Sequence, residues 1–281
     1  MKRFTPTGVA EWLPDEAIRH NSLTRSVSDS LEAAGFSPIR TPVIDYFDAL
    51  SVGLDPKLVS RSIRFFDSNG HLMILRPDHT TPIARMVANR LSNNDDLKLY
   101  YVAPVFRTPS DSDQQLEVFQ AGVEWIGPQS ASSDAHLIHL CRSILGKLGF
   151  SDVGIDIGHP SFSSGFTDAE RTALIQKDYV ALGYIPPRGG LEIAESIPDL
   201  CQLHNELAHY NLESAVTYNP GLISEFDYYT GPHFEVYVPG IRQMVASGGR
   251  YDRLIAKFGY DVPAVGFAIN ISLIQERLAQ C

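Results

Sequence analysis

Apolar residues recur at helical spacing over residues 15–34, where Leu23, Val27, Leu31 and Ala34 fall on one side and Gly35 supplies a C-terminal stop, so the pattern predicts an amphipathic helix. Residues 37–46 turn to β-branched positions but carry Pro38 and Pro42, which cannot donate to a ladder; they predict an edge or interface strand. Two short apolar runs, 63–66 and 72–75, flank Asp67-Ser68-Asn69-Gly70 and predict a hairpin. A helix over 81–91, strands over 97–106 and 116–126, a helix over 135–148 and a strand over 153–157 follow. From 164 to 210 the pattern is helical but broken by Ile185-Pro186-Pro187-Arg188-Gly189-Gly190, predicting an inserted helical lobe over about 164–212. Strands over 215–218, 232–238 and 241–247 and a last helix from Gly266 or Asn270 to Leu278 close the chain. This order predicts one α+β core domain over 1–281, an antiparallel sheet flanked by helices.

Composition narrows the picture. An apolar fraction of 44% in 281 residues suffices for a substantial core, and no run is long and apolar enough to predict a membrane partner. Met1-Lys2-Arg3 leads into polar residues and Pro6 rather than an apolar run, and Cys141, Cys201 and Cys281 are scattered, so a cytoplasmic protein without disulfides is expected. On that reading the Asn270-Ile271-Ser272 sequon is a chance match. A net charge of −10 repels a phosphate backbone, and no Lys/Arg block offsets it, which weighs against tRNA as a partner. No glycine-rich phosphate loop is present, so no nucleotide cofactor is expected. His136 and His139, near Asp134, are read as a solvated helix face rather than a metal site.

Several blocks, in order, carry a resemblance. Gly35-Phe36-Ser37-Pro38-Ile39-Arg40-Thr41-Pro42 resembles the first motif of the class II synthetases, whose proline sits at a dimer interface. Leu75-Arg76-Pro77-Asp78-His79-Thr80-Thr81 is similar to the Leu-Arg-Pro-Glu-Gly-Thr segment of histidyl-tRNA synthetases. Tyr101-Val102-Ala103-Pro104-Val105-Phe106-Arg107 and Phe119-Gln120-Ala121-Gly122-Val123-Glu124 resemble the two strands of the second motif. Glu225-Phe226-Asp227-Tyr228-Tyr229-Thr230-Gly231 and Gly248-Gly249-Arg250-Tyr251-Asp252 resemble the end of the same catalytic core. The resemblance therefore covers nearly the whole chain and implies a class II synthetase-like fold.

Free histidine needs acceptors for its amino group, donors for its carboxylate and a partner at each ring nitrogen. The resemblance implies that Asp78, Thr80 and Gln120 face the amino group. It gives Glu124 and Tyr229 to the imidazole, with Tyr228 packed nearby, and Arg107 to the carboxylate. Activating that carboxylate with ATP also requires placed cations. Ser224 stands where the family has its catalytic arginine, and Leu273 where it has the arginine that grips the γ-phosphate. The loop after Arg107 is Thr108-Pro109-Ser110-Asp111-Ser112-Asp113-Gln114-Gln115, and its aspartates would repel a triphosphate. Arg250 survives, and its bland role is a pair with a neighbouring carboxylate.

A histidine pocket without activation residues, in a sequence that runs out at Cys281 with nothing resembling an anticodon-binding domain, resembles the regulatory subunits of short-form ATP phosphoribosyltransferase. The resemblance implies no catalysis and no catalytic residues, a hetero-oligomer in which this chain self-associates as a dimer, activation of a catalytic subunit, and feedback inhibition by histidine in the first step of histidine biosynthesis. Movable parts are then sought in the 108–115 loop and the helical lobe. The alternatives are a truncated synthetase-like enzyme that activates histidine with ATP through Arg107 and Arg250, and a scaffold in which Gln120 and Glu124 are satisfied interior groups.

Overall fold

The computed structural model describes residues 5–92, 94, 96–109, 114–127, 130–224 and 228–279. It divides into two compact units. Unit 1 spans residues 1–124, 253–262 and 268–281, and unit 2 spans residues 125–252 and 263–267.

Unit 1 opens with α1 (Pro14–Ala33), which buries Leu23, Val27 and Leu31 as its periodicity requires. Its end is a Schellman turn: Phe36 N–H donates to Leu31 O and Gly35 N–H to Glu32 O, with Gly35 at φ +86°. Expected as one strand, residues 37–46 instead form two. β1 (Ser37–Pro38) runs parallel to a later strand, whereas β2 (Ile44–Tyr46) belongs to a separate three-stranded sheet, the chain being interrupted around Pro42. Two short helices, α2 (Phe47–Ser51) and α3 (Pro56–Ser60), lead to β3 (Arg64–Phe66) and β4 (Leu72–Leu75).

The β3–β4 hairpin is antiparallel as expected, with Arg64 opposite Ile74 and Phe66 opposite Leu72. Its turn extends beyond the Asn-Gly pair, because Asp67 N–H donates to His71 O and Asp67 Oδ1 accepts the N–H groups of Asn69 and His71. Gly70, at φ +83°, takes the left-handed position that closes such a turn. The three-stranded order is β2-β4-β3. Next come α4 (Thr80–Arg90), β5 (Leu97–Phe106) and β6 (Glu117–Ile126). β5 lies between β1 and β6, with Ser37 in register with Leu99.

Unit 2 contains α5 (Ala131–Lys147), capped by the Ser130 side chain one turn earlier than expected, then β7 (Gly154–Gly158). The helices α6 (Asp168–Ile175), α7 (Tyr179–Leu182), α8 (Leu191–Ala194) and α9 (Pro198–Ala208) occupy the segment read as helical, with the break at 185–190 as expected. That break is tied down: Gly189 and Tyr218 exchange backbone hydrogen bonds at 3.1 and 2.8 Å, and Arg188 pairs with Asp156. β8 (Val216–Tyr218), β9 (His233–Tyr237), β10 (Ala246–Arg250) and β11 (Ala264–Asn270) follow. The final helix α10 (Ile271–Leu278) lies in unit 1 and is capped by Asn270 Oδ1, so of its two expected starts the later holds.

Two strand expectations need correction. The strand placed at 241–247 is β10, five residues later at its start, and β11 was read in part as helix. Within unit 2, β10 stands between β11 and β9, and β9 pairs antiparallel with both β10 and β7. Pairing is mixed rather than purely antiparallel in each unit, since β1/β5 in unit 1 and β7/β8 in unit 2 are parallel. A glycine is required at 248, where a Cβ would meet Gly266 O at 2.4 Å.

Candidate functional site

The start of α4 carries a buried polar cluster in unit 1. Asp78, just before the helix, is 5% exposed, and its Oδ2 accepts from Thr81 N–H at 3.2 Å and Thr81 Oγ1–H at 2.7 Å. It thereby satisfies one of the orphan donors of the first turn. Its Oδ1 is buried without a hydrogen-bond partner among the described residues. Burial pushes the Asp78 carboxyl up, against the two Thr81 hydrogen bonds and the charge of Arg107, which lower it.

Strand alternation puts Gln120 and Glu124 on one face of β6. Glu124 is 2% exposed, and Thr80 Oγ1–H donates to its Oε1 at 2.7 Å. Arg107, at the end of β5, donates from Nε to Pro77 O at 2.6 Å, and Arg76 donates from Nε to Pro104 O and from Nη1 to Thr41 O, each at 2.8 Å. The 76–78 loop is thus laced to β5 by side chains as well as by Phe106 N–H to Arg76 O. The structure brings Thr80 and Glu124 into direct contact and sets the Asp78 carboxyl within the field of Arg107, while Gln120 is half-buried on β6.

His79, where the resembled segment has glycine, is a buried packing residue: its ring stacks on Tyr101 at 4.1 Å and Nε2–H donates to Ala103 O. Burial holds its pKa down to about 3, aided by the charge of Arg76. In unit 2, His233 is likewise buried, donates Nε2–H to Leu222 O, and is held down to about 4 by burial. Both rings stay neutral in the folded chain but take a proton near pH 6.5 when unfolded, so the stability they allow is complete above that value and is lost as pH falls. By pH 5 the loss is about 2 kcal/mol for each. Urea unfolding of wild type and His79→Gln at pH 7.5 and 5 checks this: the variant should lose about 2 kcal/mol less on acidification, and equal losses would refute it.

Tyr228 and Tyr229 lie in unit 2, both half-buried. Tyr229 stacks on His233 with ring centres 5.5 Å apart, and Tyr228 meets Tyr251 edge-on at 5.8 Å. Residues 225–227 of the same motif, residues 110–113 of the acidic loop and Cys281 lie outside the described residues. Arg250 does pair with a carboxylate, but chiefly a distant one: Nη2 donates to Asp134 Oδ2 at 2.9 Å and to Ser130 O at 2.7 Å, with Asp252 at 4.0 Å from Nη1. Sequence reasoning passed over Asp134 in this role; its signal was an acidic residue at a buried position in the first turn of α5. The solvated face read for His136 and His139 is corrected too. His139 stacks on Tyr210 at 4.4 Å, and His136 meets Trp125 edge-on and lies 3.3 Å from the Tyr210 hydroxyl. No cluster of three metal-ligating side chains occurs, and no helix is long and apolar enough to cross a membrane, among the described residues.

A solved ATP phosphoribosyltransferase regulatory subunit/histidyl-tRNA synthetase from Bacillus halodurans has the same architecture, with a TM-score of 0.88 at 26% identity over 99% of this chain and 84% of that one. The class is therefore a class II synthetase-like α+β core. The sequence profile described as histidyl-tRNA synthetase matches residues 8–181 and 188–274. The ATP phosphoribosyltransferase regulatory subunit of Desulfitobacterium hafniense is 31% identical over 98% of this chain and 82% of its own, and that of Desulforamulus reducens 33% identical over 97% and 78%. The chain belongs to the histidyl-tRNA synthetase family, in the branch that includes the ATP phosphoribosyltransferase regulatory subunits.

Proposed function

We propose that this chain is a non-catalytic regulatory subunit of a short-form ATP phosphoribosyltransferase, which activates the catalytic subunit and carries histidine feedback. The observation that carries the reading is a buried acceptor cluster kept where cations for ATP chemistry are lost. Asp78 offers an ammonium group a buried Oδ1 that has no hydrogen-bond partner among the described residues, and Glu124, already oriented by Thr80, offers a carboxylate to an imidazole N–H. Ser224 and Leu273 stand at the two arginine positions. The similarity to regulatory subunits of ATP phosphoribosyltransferase supports the same assignment.

On this reading Asp78, Thr80 and Gln120 take the amino group, Arg107 the carboxylate, and Glu124 with Tyr228 and Tyr229 the ring. The exposed Val43, Ile44, Tyr46, Phe65 and Phe66, on and beside the three-stranded sheet near Pro42, supply apolar surface for contact between two copies of the chain. A cytoplasmic site of action fits the free thiols of Cys141 and Cys201. The histidine effect requires that the ligand bind the inhibited assembly more tightly than the active one. The test is the rate of phosphoribosyl-ATP formation by the catalytic subunit with this chain added, with and without histidine. ATP-pyrophosphate exchange by this chain alone is the arm that would reveal an enzyme instead.

A further inference from the structure

Thr230 fastens the Tyr228-Tyr229 segment within unit 2. Thr230 N–H donates to Arg250 O at 2.8 Å, and the Thr230 hydroxyl and Asp252 exchange hydrogen bonds of 3.0 Å. Arg250 N–H donates to Pro232 O at 3.1 Å, closing the other side of the turn. The Arg250 side chain lies across Gly231 so closely that a Cβ there would sit 3.0 Å from its Cδ. Beyond Gly231 the guanidinium is fastened to the first turn of α5, on Ser130 O and on the Asp134 carboxylate. A continuous path thus runs from a 17-residue helix through one ion pair to the turn that bears both tyrosines.

We propose that Asp134 and Arg250 are positioning residues that fix the Tyr228–Gly231 turn, so that the state of their ion pair sets the affinity for histidine. This rests on the proposed function, in which those tyrosines contact the ligand. The charged groups around Asp134 are Arg250 on β10, Asp252 just after it and Asp199 on α9. Neutral His233 of β9 lines the same small cavity as Asp134, together with Ile138, Ile157 and Leu203. Burial raises the Asp134 carboxyl to about 6, opposed by Arg250. Acidification through that range removes the negative half of the pair, leaves the guanidinium held to the start of α5 by Ser130 O without its ionic partner, and loosens the turn.

The test is calorimetric titration of L-histidine into the full chain, alone and with the catalytic subunit, at pH 8 and pH 5.5, for wild type and Asp134→Asn. At pH 8 the variant should bind roughly threefold to thirtyfold more weakly. Its further loss at pH 5.5 should be smaller than that of the wild type, because the ligand's own titration is common to both. Equal affinities and equal pH ratios would overturn the proposal. A second readout needs no variant: the ring signals of Tyr228 and Tyr229 in wild-type NMR spectra should move with the same midpoint as the Asp134 carboxyl carbon, and rings that ignore that midpoint would overturn it. If wild type binds no histidine in any of these states, the histidine reading fails, and the ring signals alone still decide the positioning role.

Discussion

Replacement of Arg250 by alanine is expected to destabilise unit 2 by about 3 to 5 kcal/mol, the scale for removing one partner of a buried ion pair. Both side chains are nearly inaccessible, at 11% and 6% exposure for Arg250 and Asp134. The substitution leaves Asp134 as an uncompensated buried carboxylate whose Oδ1 has no hydrogen-bond partner among the described residues, and it removes one of the donors to Ser130 O. An unpaired carboxylate escapes the penalty by taking up a proton, and without Arg250 to hold it down it does so at a higher pH than the paired carboxyl, so the loss should shrink as pH falls toward the range near 6 where the paired carboxyl protonates too. Urea unfolding at pH 8 and pH 5 measures both effects. A second comparison separates charge from packing: Arg250→Met with Asp134→Leu should recover most of the loss, since apolar side chains of similar volume replace buried pairs at little cost. A loss under 1 kcal/mol in Arg250→Ala would mean that the pair is solvated in solution.

Glu124→Ala should weaken histidine binding by about 1 to 3 kcal/mol, the cost of leaving a buried polar partner unpaired. The carboxylate is 2% exposed, and Thr80 Oγ1–H donates to it at 2.7 Å, so in the proposed pose truncation deprives the imidazole of an acceptor and releases the Thr80 hydroxyl from its orientation. Glu124→Gln keeps an oxygen for Thr80 but removes the charge, and should fall between wild type and alanine. Calorimetric titration reads both; unchanged affinity in Glu124→Ala would exclude the assigned pose.

Elements whose local pattern and burial agree were legible in the sequence. α1 has one apolar stripe and a glycine stop, and the β3–β4 hairpin has Asp and Gly at positions where a turn needs a side-chain acceptor and a positive φ. β11 was harder because Ala264–Asn270 is a nearly continuous apolar run, buried on both faces, and such a run has no period to distinguish strand from helix. β10 hid behind its glycines, which are dictated by the approach of Gly266 at 248 and of His233 and Pro232 at 249 rather than by strand propensity. The candidate polar residues of unit 1 could be singled out because they sit in short contiguous motifs. Asp134 could not be matched to Arg250 because the two are 116 positions apart, and only the folded chain makes them neighbours.

The measurement that bears most directly on the central claim is phosphoribosyl-ATP formation by the short catalytic subunit titrated with this chain, at zero and saturating histidine, with ATP-pyrophosphate exchange run on this chain alone. Activation by the chain that histidine reverses, with no exchange, is the predicted result. A catalytic subunit indifferent to the chain, accompanied by histidine-dependent exchange, would contradict it and make the chain an activating enzyme.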